Sequence, residues 1–232
     1  MRAFGIPVFL LPAPSVIWTE TLGLGPVLVD HLVATLTTVL LGFAFSIVVS
    51  FPIGVLIGYS AFFANAIYPL LVLTQSIPKV ALAPILVVLL GAGEMPRVVV
   101  TFLVAFFPLV IAIATGLMSV PPELVELGRS LKASRLQELL RIRLPWSVPV
   151  LFGGLKVAIA LSVVGAVVGE FVAAERGLGY LINSSMAFFR TPIAFGAMIL
   201  LSVLGILLFQ SVVLAERLLF PWSASAEFAP SA

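Results

Sequence analysis

Along most of this chain polar side chains are too sparse to repeat at any period. Five long apolar runs stand out, at about 32–59, 67–90, 98–118, 146–172 and 193–214. Each reaches the roughly 20 residues that carry a helix across a hydrocarbon layer about 30 Å thick. Hydrocarbon offers no partner to an exposed backbone N–H or C=O, so these runs predict helices that close their own hydrogen bonds. One stretch breaks the monotony. In "ELVELGRSLKASRLQELLRIRLP", residues 123–145, eight ionisable side chains fall within 23 positions.

Inside that stretch leucines recur at helical spacing twice, at Leu124, Leu127 and Leu131 and again at Leu136, Leu139 and Leu140. Pro121 and Pro122 suit a first helical turn, and Glu123 complements the positive dipole end there. Ser134 followed three residues later by Gln137 reads as a capping box that starts a second helix. The pattern predicts a short helix, a turn near Lys132–Ala133, and a second short helix, with Pro145 opening the next span. Each short helix has an apolar stripe to pack on the rest of the protein and a charged side for a partner.

Prolines fall within or beside the spans at Pro52, Pro78, Pro84 and Pro108. Each removes a backbone donor and invites a kink. In "QSIPKVALAP", residues 75–84, polar side chains gather beside the proline, and a functional bend is expected there. Residues 1–30 begin with an apolar run broken by Pro7, Pro12 and Pro14, expected to be an external or interfacial segment. The spans define a membrane domain over 31–220, and residues 221–232 are expected to form a disordered cytoplasmic tail.

Composition sharpens this picture. Of the 232 residues 62% are hydrophobic and 9% charged, against about 25% charged in ordinary soluble domains. Mean hydropathy is +1.27, so the chain reads as an all-α, polytopic membrane protein. The formal charge of +2 includes no basic tract suited to nucleic acid, and there is no cysteine. A single histidine, His31, argues against a metal centre or a catalytic triad, and no metal site is expected. Arg129, Lys132, Arg135, Arg141 and Arg143 place the charged hairpin in the cytoplasm by the positive-inside rule. Counting spans from there puts the C-terminal tail and Arg217 inside. The N-terminus and the loops at 91–97 and 173–192 then lie outside.

The segment "ELGRSLKASRLQELLRIRLP" resembles the EAA loop of binding-protein-dependent ABC importer permeases. Glu126 matches the acidic position, and Ile142, Leu144 and Pro145 match the closing Ile-x-Leu-Pro. The blocks "SIPKVALAPILVVLLGAGE" and "GGLKVAIALSVVGAVVGEFVAAERGLGYLI" extend the likeness, which covers about residues 8–220. They are similar to the branch that handles nitrate, sulfonates, taurine and pyrimidine or vitamin precursors. The resemblance implies a type I importer permease fold, with about five transmembrane helices plus a cytoplasmic coupling-helix hairpin over 121–145. It implies a homodimer with a second permease copy in the inner membrane of a prokaryote, in contact with membrane lipid. It also implies a dimer of separate ABC ATPase subunits and a periplasmic or extracellular solute-binding protein.

On that reading no cofactor is bound by this chain; ATP and Mg2+ belong to the ATPase. The residues implied for coupling are Glu126, Gly128, Arg129, Lys132, Ala133, Ser134, Arg135, Leu144 and Pro145. Leu127 and Gly128 replace the family's two alanines, and Lys132 replaces the glycine of the turn. A lysine holding a glycine-like positive φ is strained by about 1 kcal/mol. The family usually has one more N-terminal span, so the chain is expected to begin short of the usual length or to be genuinely shorter.

Polar residues within the spans give the next clue, because a charge at a helix centre costs about 2.5–3.5 kcal/mol on insertion scales. Gln75, Ser76, Lys79 and Glu170 are the candidates for the translocation pathway. Three readings stay open for the charges. Lys79 faces the pathway or pairs with Glu170; Glu170 otherwise sits at a hydrated helix end; Lys156 snorkels to the cytoplasmic interface or faces the bundle. His31 is expected to be an ordinary interfacial residue, and "ERGLGYLI" a tight outer turn. The chain lacks the Gly-x-x-x-x-Gly-Lys-Ser/Thr phosphate loop, so it is expected to be non-catalytic, with ATP hydrolysed by a partner. It also lacks the Gly-x-Ser-x-Gly of a serine hydrolase. A stand-alone secondary carrier or channel is the rival reading, disfavoured by the partner-shaped hairpin and by the lack of recognisable inverted halves.

Overall fold

The computed structural model describes residues 12–226, and all the regular elements among them are helical. A ten-residue helix α1 (Pro14–Gly23) precedes α2 (Pro26–Tyr59), which starts on a proline at its first turn, directly after Gly25 at φ +54°. Next come α3 (Ala61–Gln75), a 3₁₀ turn over Lys79–Leu82, α4 (Ala83–Leu90) and α5 (Glu94–Met118). Two short helices follow, α6 (Pro122–Ser130) and α7 (Arg135–Glu138), then a π-helical turn over Leu139–Arg143. The chain continues with α8 (Leu144–Ala173), α9 (Leu178–Ala187), α10 (Thr191–Leu219) and α11 (Pro221–Ala226).

Four helical stretches are long and apolar enough to cross a membrane, and the bent pair Phe62–Gln75 with Lys79–Leu90 makes a fifth candidate. These match the five apolar runs. The expected bend at Pro78 is a full break, with 79° between the two pieces. Pro52 and Pro108 lie inside unbroken helices, and Pro84 occupies the first turn of α4. Residues 1–11 of the expected external segment and 227–232 of the expected tail lie outside the described residues, while α11 takes up the start of that tail.

The chain packs as two compact units, each assembled from separate stretches of sequence. One holds the described residues through Phe43, with Lys79–Leu103 and Leu161–Leu207; the other holds Ala44–Pro78, Val104–Ala160 and the described residues from Leu208 on. In the second unit, small residues let helix backbones approach. A Cβ at Gly54 would lie 2.6 Å from Ile113, and one at Gly58 would lie 2.7 Å from Leu117. Both pairs step by four residues in the same direction, so α2 and α5 run parallel along a Gly-x-x-x-Gly face. The Ser50 hydroxyl adds a bond to the Phe106 carbonyl, 3.2 Å away. Against α8 the direction reverses: Gly116 meets Ser147 and Gly154 meets Ala112, so α5 and α8 are antiparallel.

The first unit is organised around the start of α9, a helix that the sequence reading takes for a turn. Glycines bracket its start because a Cβ on Gly177 or Gly179 would run into the Glu170 carboxylate, and Gly177 sits at φ +131°. A helix leaves its first N–H groups without partners. Here three buried side chains from two other helices take them. His31 Nδ1 accepts from Gly177 at 3.0 Å, Thr35 Oγ1 from Leu178 at 2.7 Å, and Glu170 Oε2 from Gly179 at 2.7 Å. His31 is therefore buried, stacked on Tyr180 with ring centroids 5.8 Å apart, and not an ordinary interfacial residue. Arg97, expected in a loop, is buried in the first turn of α5. Its Nε donates to the Gly93 carbonyl at 3.0 Å and its Nη1 to the Arg176 carbonyl at 3.2 Å.

Three substitutions test this packing in detergent-solubilised protein. Gly58→Leu overpacks the α2–α5 contact and should cost about 1–3 kcal/mol. Gly23→Ala, whose Cβ would meet nothing within 4 Å, should leave the melting temperature unchanged or slightly raised. Thr35→Val keeps the shape but strands the buried Leu178 N–H, a loss of about 1–3 kcal/mol. At this chain length each kcal/mol corresponds to about 2–4 °C in Tm. Equal melting of Thr35→Val and the parent would mean that the hydrogen bond carries no weight.

Candidate coupling site

The charged hairpin is two ordered helical pieces joined by a tight turn. At the end of α6, Lys132 adopts φ +56°. Its N–H bonds to the Arg129 carbonyl at 2.9 Å, and the Ala133 N–H bonds to the Gly128 carbonyl at 3.0 Å. These two bonds define a Schellman turn with lysine where glycine is usual. The turn expected at Lys132–Ala133 is thus present in its strained form. Ser134 then caps α7. Gln137 N–H donates to Ser134 Oγ at 3.3 Å, and Ser134 N–H donates to Gln137 Oε1 at 2.8 Å, the reciprocal capping box.

Two expectations about the hairpin need correction. Pro145 does not open a separate helix: α7, the π turn and α8 form one helical stretch from Arg135 to Val172. Pro145 has no N–H to give back to the preceding turn, and the π turn, with Leu144 N–H bonded to the Leu139 carbonyl, carries the helix past that gap. The leucine stripes brace the hairpin only in small part, through half-buried Leu124 and Leu139. Leu127, Leu131, Leu136 and Leu140 are each more than half exposed, while Val125, Gly128 and Glu138 are buried.

The brace is polar. Glu138, buried, accepts from Arg143 Nε at 2.8 Å and lies 3.7 Å from Arg129 Nε. Arg143 also donates to the Leu117 carbonyl at 3.1 Å, and its guanidinium sits 5.6 Å from the centroid of the Tyr59 ring. One ion pair therefore ties the base of the hairpin to the ends of α5 and α2. A Cβ on Gly128 would meet only the flexible end of the Ile142 side chain, so nothing in the structure explains the glycine. Leu124, Leu127, Leu131, Ile142 and Trp146 flank an open groove of about 480 Å³ beside it.

The other predicted residues are placed as follows. Glu126, Arg129, Lys132, Ser134 and Arg135 are exposed on the hairpin; Ala133 is half-buried in its turn. Leu144 is half-buried at the start of α8 and Pro145 exposed beside it. Gln75 and Ser76 are exposed at the end of α3, and Lys79 is half-buried in the 3₁₀ turn past the break. Glu170 is 1% exposed, so it is not a hydrated helix end. Arg97 is a cation that acts on it. Lys156 does not snorkel: its Nζ lies 3.0 Å from Glu216 Oε2, both side chains nearly buried, and the Ser223 hydroxyl donates to Glu216 Oε1 at 2.7 Å. Glu138, Arg97 and Thr35 went unrecognised in the sequence. Their one signal is a polar residue standing among apolar neighbours. Among the described residues, no cluster of His, Cys, Asp and Glu is placed to hold a metal ion.

The hairpin, the spans and the broken helix can now be set beside known proteins. Residues 50–223 match the family model of the binding-protein-dependent transport system inner membrane component. The riboflavin transport system permease protein RibX of Chloroflexus aurantiacus is 38% identical, with 95% of this chain and 83% of that protein covered. The formylaminopyrimidine transport permease protein ThiX of Halalkalibacterium halodurans is also 38% identical, covering 95% and 88%. A chain of the inward-facing MetNI methionine ABC transporter superposes with a TM-score of 0.73 over 84% of this chain and 97% of its own, at 21% identity. That likeness speaks for the fold. Spans, hairpin and matched length agree, and the chain belongs to the family of binding-protein-dependent transport system inner membrane components, the permease subunits of ABC importers.

Proposed function

We propose that this permease is driven by a separate ATPase dimer gripping the exposed tip of the hairpin from the cytoplasm. The observation that carries the reading is the hairpin's division of labour. Its base is held by the Glu138–Arg143 pair, which leaves Leu131, Leu136, Glu126 and Arg135 turned outward and unneeded for the hairpin's own packing, with Arg129 exposed beside them. Exposed leucines beside charges of both signs suit a protein groove, where the leucines supply buried area and the charges set register. In the cycle this reading implies, the ATPase binds ATP and Mg2+, its two subunits close, and the hairpins of two permease copies move with them. The polar brace would pass that motion to α5 and α8.

The solute pathway on this reading involves the break in the second span. There Gln75, Ser76 and Lys79 bring polar groups into an otherwise apolar segment, and the chain bends by 79°. Glu170 serves a different role, holding α9 on the external side, where a solute-binding protein delivers its cargo. The named transport of riboflavin and of formylaminopyrimidine by the two relatives supports a small, ring-containing vitamin or pyrimidine precursor as the solute class. Sulfonates, taurine and nitrate are the less favoured cargo.

Coupling is tested by co-expression with the ATPase subunit. The two proteins should co-purify in about equal amounts. Glu126→Lys and Leu131→Glu should each cut ATP-driven uptake by roughly tenfold, the equivalent of about 1.4 kcal/mol of lost docking, with the melting temperature unchanged because both side chains are exposed. Full co-purification and uptake in both variants would remove the hairpin from the coupling role; absence of any ATP-hydrolysing partner would favour the carrier reading. Lys132→Gly removes a left-handed lysine and should stabilise the protein by about 1 kcal/mol while leaving uptake intact. Loss of uptake in that variant would show that the lysine side chain, and not the turn, is what the ATPase reads.

A further inference from the structure

Next to the hairpin, within the second compact unit, lies an apolar cavity of about 510 Å³, inside the range of roughly 300–1,000 Å³ usual for small-ligand sites. Its floor is Leu109, Ile113 and Val148, all buried, and Phe220 and Trp222 help to wall it. Phe220 packs on Phe152, ring centroids 5.6 Å apart, and edge-on against Trp222 at 5.3 Å. These two aromatics follow α10, and the Ser223–Glu216 bond at 2.7 Å holds the turn that carries them. The wall is therefore a fixed part of the fold.

What lies around this cavity says which molecule it takes. Its lining has no charged side chain, so the occupant presents hydrocarbon there. Pro145 lines both this cavity and the groove beside the hairpin, and that groove includes Arg141 and Trp146. Arg141 is exposed, and Arg217 is exposed one helical turn before Phe220. Trp146 and Trp222, about half exposed, carry the ring type that gathers where hydrocarbon meets headgroups. An apolar slot leading past tryptophan to an arginine matches a molecule with a hydrocarbon tail and an anionic head. Basic pockets between membrane helices take such headgroups. Nearby Lys156 is already paired with Glu216, so the cation offered along the continuous surface is Arg141.

We propose that this cavity binds one acyl chain of an anionic bilayer phospholipid, whose phosphate rests on Arg141. Bound there, the lipid links α2, α5, the π turn, α8 and the segment after α10, and would stiffen the base from which the hairpin projects. The site stands apart from ATPase docking, which draws on Glu126, Arg129 and Arg135. The inference therefore survives or fails independently of the coupling reading.

The full chain purified in detergent provides the test. In a Trp18→Phe background the two remaining tryptophans, Trp146 and Trp222, both border the site, and their emission is titrated with phosphatidylglycerol or phosphatidylcholine brominated on the acyl chain. Expected is quenching that saturates near one lipid per chain, at least about fivefold tighter for phosphatidylglycerol, with that preference lost in Arg141→Gln. Non-saturating quenching, or equal affinity for the two lipids, overturns the proposal. Native mass spectrometry supplies a second readout on chains that retain all three tryptophans. The parent should keep a co-purified anionic phospholipid, and Leu151→Trp, which fills the cavity, should lose it. Lipid retained undiminished in a folded Leu151→Trp protein would overturn the assignment. So would a loss of dimer in place of a loss of lipid, since the cavity would then belong to a second copy.

Discussion

A polar group inside a membrane protein has no water to fall back on, and an unmatched N–H, carbonyl or charge there costs several kcal/mol. Much of the described chain meets this requirement pair by pair, although the Thr21 and Thr191 hydroxyls and Glu170 Oε1 are buried without a hydrogen-bond partner. Three amides at the start of α9 are taken by His31, Thr35 and Glu170, and the Arg176 carbonyl just before them by Arg97. Lys156, whose charge stands well inside a long apolar run, is matched by Glu216, which in turn is matched by Ser223. Removing one member of such a buried pair leaves an uncompensated charge, typically a loss of about 3–5 kcal/mol. These closures, more than leucine packing, decide where the short elements sit against the long ones.

The hairpin follows the same logic at the edge of the membrane domain. Turning the chain between α6 and α7 leaves carbonyls at the helix end, and the Schellman bonds from Lys132 and Ala133 satisfy two of them at the expense of a left-handed lysine. The same solution recurs after α9. There Phe189 stands at φ +56°, with its N–H on Met186 and the Arg190 N–H on Ser185. A glycine would relax either turn. The chain instead accepts about 1–2 kcal/mol of backbone strain at each and presents a large side chain at the apex of both.

Fixing the base of the hairpin by an ion pair has a mechanical consequence. An apolar contact tolerates sliding, whereas Arg143 is held at once by Glu138, by the Leu117 carbonyl and against the face of Tyr59. Displacement of the hairpin would pull on the ends of α5 and α2 directly. The unbroken run from α7 through the π turn into α8 gives a second rigid connection. Both connections run from the hairpin into the long helices.

Sequence alone determined what depends on near neighbours. The five apolar runs, a bend near Pro78, the Ser134 cap and a turn near Lys132–Ala133 each follow from spacing or from the conformational limits of one or two residues, while the left-handed form of that turn was implied by the family resemblance that the surrounding blocks carried. The tertiary structure decided which residue meets which. Periodicity establishes that Leu127 and Leu131 share a helix face, but it does not say whether that face packs on the protein or stays open. Lys156 reads as an isolated cation until folding brings Glu216 to it from 60 positions away. The glycines around Leu178 read as a turn, because what makes them the start of a helix is the Glu170 carboxylate pressed against them from another element. Local chemistry is written along the chain, whereas the partner of a buried charge or a bare helix end exists only once distant segments share a place.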